Sequence, residues 1–208
     1  MDADRDLDLP LEMPYPHYRC PVDGEDLPLT EARIAVTCSK HQPDDHRRVF
    51  EIRSAGAADR AGIEELCDRA WGETEIDTLG TTFDVMRGDN LLAEVDGQLA
   101  GMVSLAVHGG ELAIVLQSVY PEFQGGGIGK ALLDVAVERA RARRLPFVKV
   151  AVSNDDIASL YFYQRHEFVI TDIALGAVAD RLGSAVQGFA CIPIRDEIRL
   201  RRPVAVAD

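Results

Sequence analysis

Gln124-Gly125-Gly126-Gly127-Ile128-Gly129-Lys130 stands between an apolar run and an amphipathic stretch, and its chemistry is that of anion binding. A helix start leaves backbone amides without intrahelical acceptors, and glycines let a ligand approach that backbone closely, so the two together can converge on a phosphate. Two familiar phosphate motifs fail here. A Walker A loop needs glycine where Gln124 stands and a magnesium-holding hydroxyl where Ala131 stands. The dinucleotide fingerprint ends on Lys130 or Leu132, depending on which glycine starts it, and neither is the small residue that it requires. A second chemistry is metal binding. His17-x-x-Cys20 and Cys38-x-x-His41 form two short-spaced ligand pairs, enough N and S donors to close a tetrahedral zinc site. Cys67 and Cys191 read as core thiols, and the Gly-x-Ser-x-Gly elbow of a serine hydrolase is missing.

These residues need a scaffold, and the chain is long enough to supply one. It has 208 residues, 47% hydrophobic and 27% charged, an ordinary composition for a folded chain. Residues 1–16 carry Pro10, Pro14 and Pro16 among acidic residues and read as a tail; 17–48 read as a small β appendage holding the Cys/His pairs. A compact α/β domain is expected over 49–202, with 203–208 as a second tail. Val49 to Arg53 reads as a strand, followed by a helix with Ile63, Leu66, Cys67 and Ala70 on one face. Asn90 to Val95 and Gln98 to Val107 flank Asp96-Gly97, a two-residue hairpin signal, and Glu111 to Val119 returns after Gly109-Gly110. This predicts an antiparallel meander. A helix over about 127–144 then leads to a strand over 147–152, and such a crossover makes the flanking strands parallel neighbours. A second helix over 157–165, a strand at 168–170 and a closing strand over 191–200, with Pro193 at an edge position, complete the domain. Acidic residues outnumber basic ones 35 to 22, a net charge of −13, which argues against nucleic acid as a partner. Without a long apolar segment or a signal-like start, the expected setting is the cytoplasm, away from membranes.

The loop also fits Gln-x-x-Gly-x-Gly. With the meander before it, Val119-Tyr120-Pro121-Glu122-Phe123 leading in and the long helix after it, the sequence resembles the GCN5-related N-acetyltransferase (GNAT) family over roughly Val49 to Arg202. A second stretch, Asn154 to Phe168, is similar to that family's Asn-x-x-Ala-x-x-Phe-Tyr-x-x-x-Gly-Phe segment. The resemblance implies a mixed, mostly antiparallel sheet flanked by helices, with acetyl-CoA as cosubstrate and a small-molecule or peptide amine as acceptor. Dimerisation is common in that family, and the sequence leaves open whether this chain forms a homodimer. Gln124, Gly125, Gly126, Gly127, Ile128, Gly129 and Lys130 would hold the pyrophosphate. Ser118 and Val119 would lie beside the thioester, where a backbone N–H can polarise the carbonyl. Tyr163 matches the general acid that protonates the departing thiolate. The family's asparagine falls on Asp156, with Asn154 two residues earlier, and either could face the pantetheine arm. Glu167 replaces a glycine at a position that is often left-handed, so strain or a different cap is expected. An amine protonated at neutral pH calls for a base, for which Glu111 and Glu73 are the candidates, and Trp71 could rim the acceptor pocket. At the front, Cys20-Pro21-Val22-Asp23-Gly24 resembles a zinc-ribbon knuckle with Asp at its second ligand. The departures at Asp156 and Glu167 keep an alternative open, a non-catalytic acyl-CoA-binding sensor or interaction module.

Overall fold

The computed structural model describes residues 49–183 and 186–205. The candidate zinc ligands His17, Cys20, Cys38 and His41, and the expected appendage, lie outside them. Among the described residues no group of three or more His, Cys, Asp and Glu side chains is placed to hold a metal. No helix among them is long and apolar enough to cross a membrane.

A seven-stranded sheet in the order β1-β4-β5-β6-β7-β11-β8 organises the domain. Its elements begin with β1 (Glu51–Ser54), α1 (Arg60–Trp71), the hairpin β2 (Glu75–Thr78) and β3 (Thr81–Asp84), and the meander β4 (Asp89–Val95), β5 (Gln98–His108) and β6 (Glu111–Val119). Then come α2 (Ile128–Ala142), β7 (Phe147–Ser153), α3 (Ile157–Arg165), β8 (Val169–Ala174), α4 (Ala177–Leu182), a small ribbon of β9 (Val186–Gln187) and β10 (Pro193–Ile194), and β11 (Glu197–Pro203). The Asp96-Gly97 and Gly109-Gly110 turns have positive φ at both central residues, as a tight hairpin demands. Every pairing in the main sheet is antiparallel except β6 with β7, where α2 crosses over.

Alternation along the strands divides the core between the sheet's faces. Leu91, Ala93, Val103 and Leu105 pack with Ile128, Leu132, Leu133 and Ala136 of α2 and with Tyr163 and Phe168. Leu92 and Met102 point the other way, onto Ile63, Leu66 and Cys67 of α1. Gly72 closes α1 in the left-handed region, where its amide reaches Asp68 O and Cys67 O.

Three features differ from the sequence reading. The hairpin β2–β3, turning through Leu79 and Gly80, was not foreseen, and α4 is a further addition. The continuous closing strand over 191–200 is two elements, because Asn154 Oδ1 accepts from Arg195 N at 2.8 Å and from Asp196 N at 2.9 Å and draws that backbone out of a ladder. Pro193 accordingly sits in the small ribbon, while β11 is interior, between β7 and β8.

Glu167 adopts φ +68 and closes α3 as a glycine would, with Phe168 N reaching back to Tyr163 O at 3.1 Å. Its carboxylate meets Arg202 at 2.6 Å, a contact that a surface position makes weak. Because the left-handed conformation penalises a Cβ, Glu167→Gly should be about 1 kcal/mol more stable than Glu167→Ala in urea unfolding. Gly101 is constrained differently: a Cβ there would lie 2.6 Å from Ser118 O of the neighbouring strand. Gly101→Ala should cost about 1–3 kcal/mol in the same measurement, and an unchanged midpoint would contradict this packing.

Candidate active site

β6 and β7 are partners only through Leu112 with Val148 and Ala113 with Lys149. Beyond these pairs they part. The cause lies on the other side of β6, where Leu105 pairs with Ile114 but Ser104 pairs with Leu116, leaving Val115 as an extra residue. A bulge of this kind bends the strand that carries it and increases the local twist. Meanwhile β7 stays paired to β11 through Val150, Ala151, Val152 and Ser153, so it cannot follow.

The gap is a cleft of about 330 Å³. Its walls are Ile114 to Gln117 on β6 and Val150 to Ser153 on β7. Asp156, Ser159 and Tyr163 of the α3 segment line it, as do Trp71 and Ile76, Asp77 and Thr78. Val178, Arg181 and Leu182 from α4, with Ile194 and Glu197, complete it.

At the open end of β6, Tyr120 N donates to Ala100 O at 2.9 Å. The alternation of an antiparallel ladder then turns the Gln117 and Val119 amides away from β5, toward the space that β7 has left. Val119 O points the same way and accepts from Gln124 Nε2 at 2.9 Å, which ties the glycine loop to the strand. Gly125 and Gly127 have φ of +81 and +86. Gly127 opens α2 without a side chain to cap it, and the amides of Ile128, Gly129 and Lys130 have no acceptor among the described residues. Lys130 pairs with Asp134 on the helix surface. An array of free amides at a helix start is a ready anion cradle.

Gln117 links this loop to the cleft. Its Nε2 donates to Gly129 O at 2.8 Å, and its Oε1 accepts from the Tyr163 hydroxyl at 3.3 Å. The Tyr163 ring is buried against Phe162 and Phe168, with centroids 5.2 and 5.3 Å away. Burial first, and then the nearby Asp156 charge, hold the phenol well above its ordinary range, so it stays protonated at neutral pH. Tyr161 instead lies on the outer surface, where its oxygen accepts from Arg165.

The other anticipated residues divide sharply. Asp156 caps α3, accepting from Ser159 N at 3.0 Å, and lines the cleft. Asn154 spends its amide elsewhere: Oδ1 serves Arg195 N and Asp196 N, and Nδ2 donates to Pro193 O at 3.0 Å. Glu111 opens β6 at the closed end of the gap, with Lys149 Nζ at 3.5 Å and an Arg201 nitrogen at 3.2 Å, and does not line the cleft. Glu73 is exposed and borders a separate cavity beside α1, with Glu64, Asp68 and Asp84. Neither carboxylate meets Tyr163.

Gln117 and Glu197 were missed by sequence reasoning. Gln117 could have been noticed as a lone amide in the otherwise apolar run Leu112 to Leu116 and beyond; nothing local marks Glu197. Its carboxylate is only 3% exposed and accepts from Leu79 N at 3.1 Å, from Arg199 Nε at 2.9 Å and from Arg181 Nη1 at 3.3 Å.

The family model described as acetyltransferase (GNAT) family matches residues 60–168. The chain belongs to this family. It is 36% identical over 88 residues to a mycothiol acetyltransferase from Streptomyces griseus, an alignment covering 40% of this chain and 28% of that protein. The chain thus spans under a third of that relative's length. Over 144 residues it is 32% identical to the uncharacterized protein YxbD of Bacillus subtilis, covering 66% of this chain and 89% of that one. A GNAT family acetyltransferase from Elizabethkingia anophelis, solved with acetyl-CoA bound, shares the fold with a TM-score of 0.58 at 22% identity, over 74% of this chain and 97% of its own.

The raised phenol of Tyr163 has a consequence for stability in alkali. Below pH about 10 the hydroxyl is protonated whether the chain is folded or not, so its contribution is constant. Above that pH the unfolded chain loses the proton first, and the stability of the fold falls as pH rises toward the folded value. Tyr163→Phe should flatten this decline between about pH 10 and 11 in urea titrations. An identical slope in the variant would show that the ring is not held away from water.

Proposed function

We propose that this chain transfers an acetyl group from acetyl-CoA to a primary amine by direct attack on the thioester, within a transferase domain over 49–202. The observation that carries the reading is Gln117, which joins the first turn of α2, with its uncapped amides, to the buried, protonated phenol in the cleft where β6 and β7 part. The residues fit the cosubstrate. Gly125 to Lys130 offer N–H donors to the pyrophosphate, Gln124 fixes that loop to β6, and Val119 brings the strand's open edge alongside the thioester, while the Ser118 amide, in the Met102 pair, faces β5.

In this reading the acceptor nitrogen, having lost a proton to water or to a carboxylate in reach, adds to the thioester carbon. The outward amides on β6 stabilise the charge that grows on the carbonyl oxygen. As the carbon–sulfur bond breaks, Tyr163 gives its proton to the sulfur, so that CoA leaves as a thiol; the nitrogen's second proton then restores the phenol, directly or through water. Gln117 positions the hydroxyl from below. Asp156 borders the arm of the cosubstrate, while Asn154 serves the fold around it.

Titration calorimetry with acetyl-CoA should show binding, and amine-dependent thiol release should follow in the same preparation. Tyr163→Phe should lower the rate of transfer tenfold or more while leaving CoA affinity nearly unchanged. Binding without release for any amine class would favour a sensor of acyl-CoA. Full turnover in Tyr163→Phe would remove the phenol from the mechanism.

A further inference from the structure

We infer that the acceptor is a small primary amine that also carries a carboxylate, with free amino acids as its simplest members, and that Arg181 binds that carboxylate. The inference rests on the transfer reading above and adds the substrate class.

Arg181 is the one cationic side chain among the described residues that line the cleft, in a chain of net charge −13. It stands at the end of α4, with Leu182 beside it and Ile194 and Trp71 also on the walls. A guanidinium has five N–H donors in a planar fork. Only Nη1 is engaged among the described residues, with Glu197 Oε2 at 3.3 Å, and the side chain retains 31% of its exposure. The remaining donors have no partner among the described residues, and Arg181 lines a partly apolar cleft, a setting in which a two-pronged contact to a carboxylate is geometrically favoured and less screened than in bulk water.

Glu197 is the positioning residue behind this contact. It divides its oxygens among several donors: Oε1 accepts from Arg199 Nε, an arginine that also pairs with Asp172, and Oε2 accepts from Leu79 N as well as from Arg181 Nη1. It does not present itself to a substrate, being almost wholly buried. The effect is to hold one edge of Arg181 and leave the other edge open. The remaining charges of the cleft complement the other end of such an acceptor. Asp77, with one oxygen bonded to Thr82, and Asp156 are carboxylates on the same walls, suited to an ammonium group and unsuited to a second anion. An acceptor bearing both charges therefore finds a group of opposite charge for each end on these walls.

The test compares matched acceptors on the intact protein with acetyl-CoA: the free amino acids, their carboxamides and the decarboxylated amines, scored by thiol release. The best free amino acid should exceed its carboxamide by about tenfold or more in kcat/KM, the gap residing in KM. Arg181→Gln should close that gap by raising KM for the acid while leaving the carboxamide nearly as before, and Arg181→Lys should restore part of it. Carboxamides or decarboxylated amines that match or outrun the acids would overturn the proposal, and that comparison needs no variant to fold. Acetyl-CoA binding with release from other amines but from no free amino acid would also overturn it, yet leave the transferase reading in place. Failure to bind acetyl-CoA would sink both.

Discussion

The site depends on one broken pairing. β6 and β7 lie side by side as parallel strands, yet they hold register for only two residue pairs before the extra residue Val115 bends β6 away. An interrupted ladder normally leaves costly unpaired amides and carbonyls. Here the parting opens a cleft, with the Gln117 and Val119 amides turned outward at its β6 end and Val119 O taken up by Gln124. What would be a defect in a plain sheet is the precondition for everything that the cleft can do. Gly101 belongs to the same arrangement, since β5 must approach Ser118 more closely than any side chain would allow.

Around that gap, a few side chains act as ties between distant parts of the chain. Gln117 connects the first turn of α2 to the hydroxyl of Tyr163, so the glycine loop and the buried phenol share one residue. Asn154 and Asp155 tie the start of α3 to the ribbon region: Asn154 through Pro193, Arg195 and Asp196, and Asp155 through Phe189 N at 3.1 Å. Gly188 is required there, because a Cβ would fall 2.0 Å from an Asp155 oxygen. Glu197 performs a similar task between β11, the β2–β3 turn and α4. Buried polar groups are stabilising only when they are hydrogen-bonded, and both oxygens of the buried Asp155 and Glu197 accept hydrogen bonds.

How much of this was visible in the sequence follows from the range of the interactions. The meander, the crossover helix and the glycine loop are local patterns, written in alternation, in Asp96-Gly97 and in a glycine run before a helix, and they appear where expected. Tyr163 could be placed by its motif, and the left-handed Glu167 by its position at the end of α3. Carboxylate roles could not be read in this way. Glu111 looked like a strand residue near the loop, but its strand runs the length of the sheet and puts it at the far, closed end, between Lys149 and Arg201. Glu73 follows Trp71 closely, yet the turn after α1 sends only the tryptophan to the cleft. Glu197 meets Leu79 across 118 positions of chain, a contact without a local signature. The bulge at Val115 likewise has no distinctive residue type.

The short seam between β6 and β7 divides the sheet into two blades, β1-β4-β5-β6 and β7-β11-β8. One blade leads into the anion cradle through the end of β6; the other carries Tyr163 on the helix that follows β7, and Glu197 on β11. Joined at Leu112–Val148 and Ala113–Lys149 and spanned by α2, the blades have the geometry of shears. In any such lever a small angle at the pivot is a larger width at the tips. The ion cluster of Glu111, Lys149 and Arg201 sits at that pivot, across the closed end of a cleft it never touches.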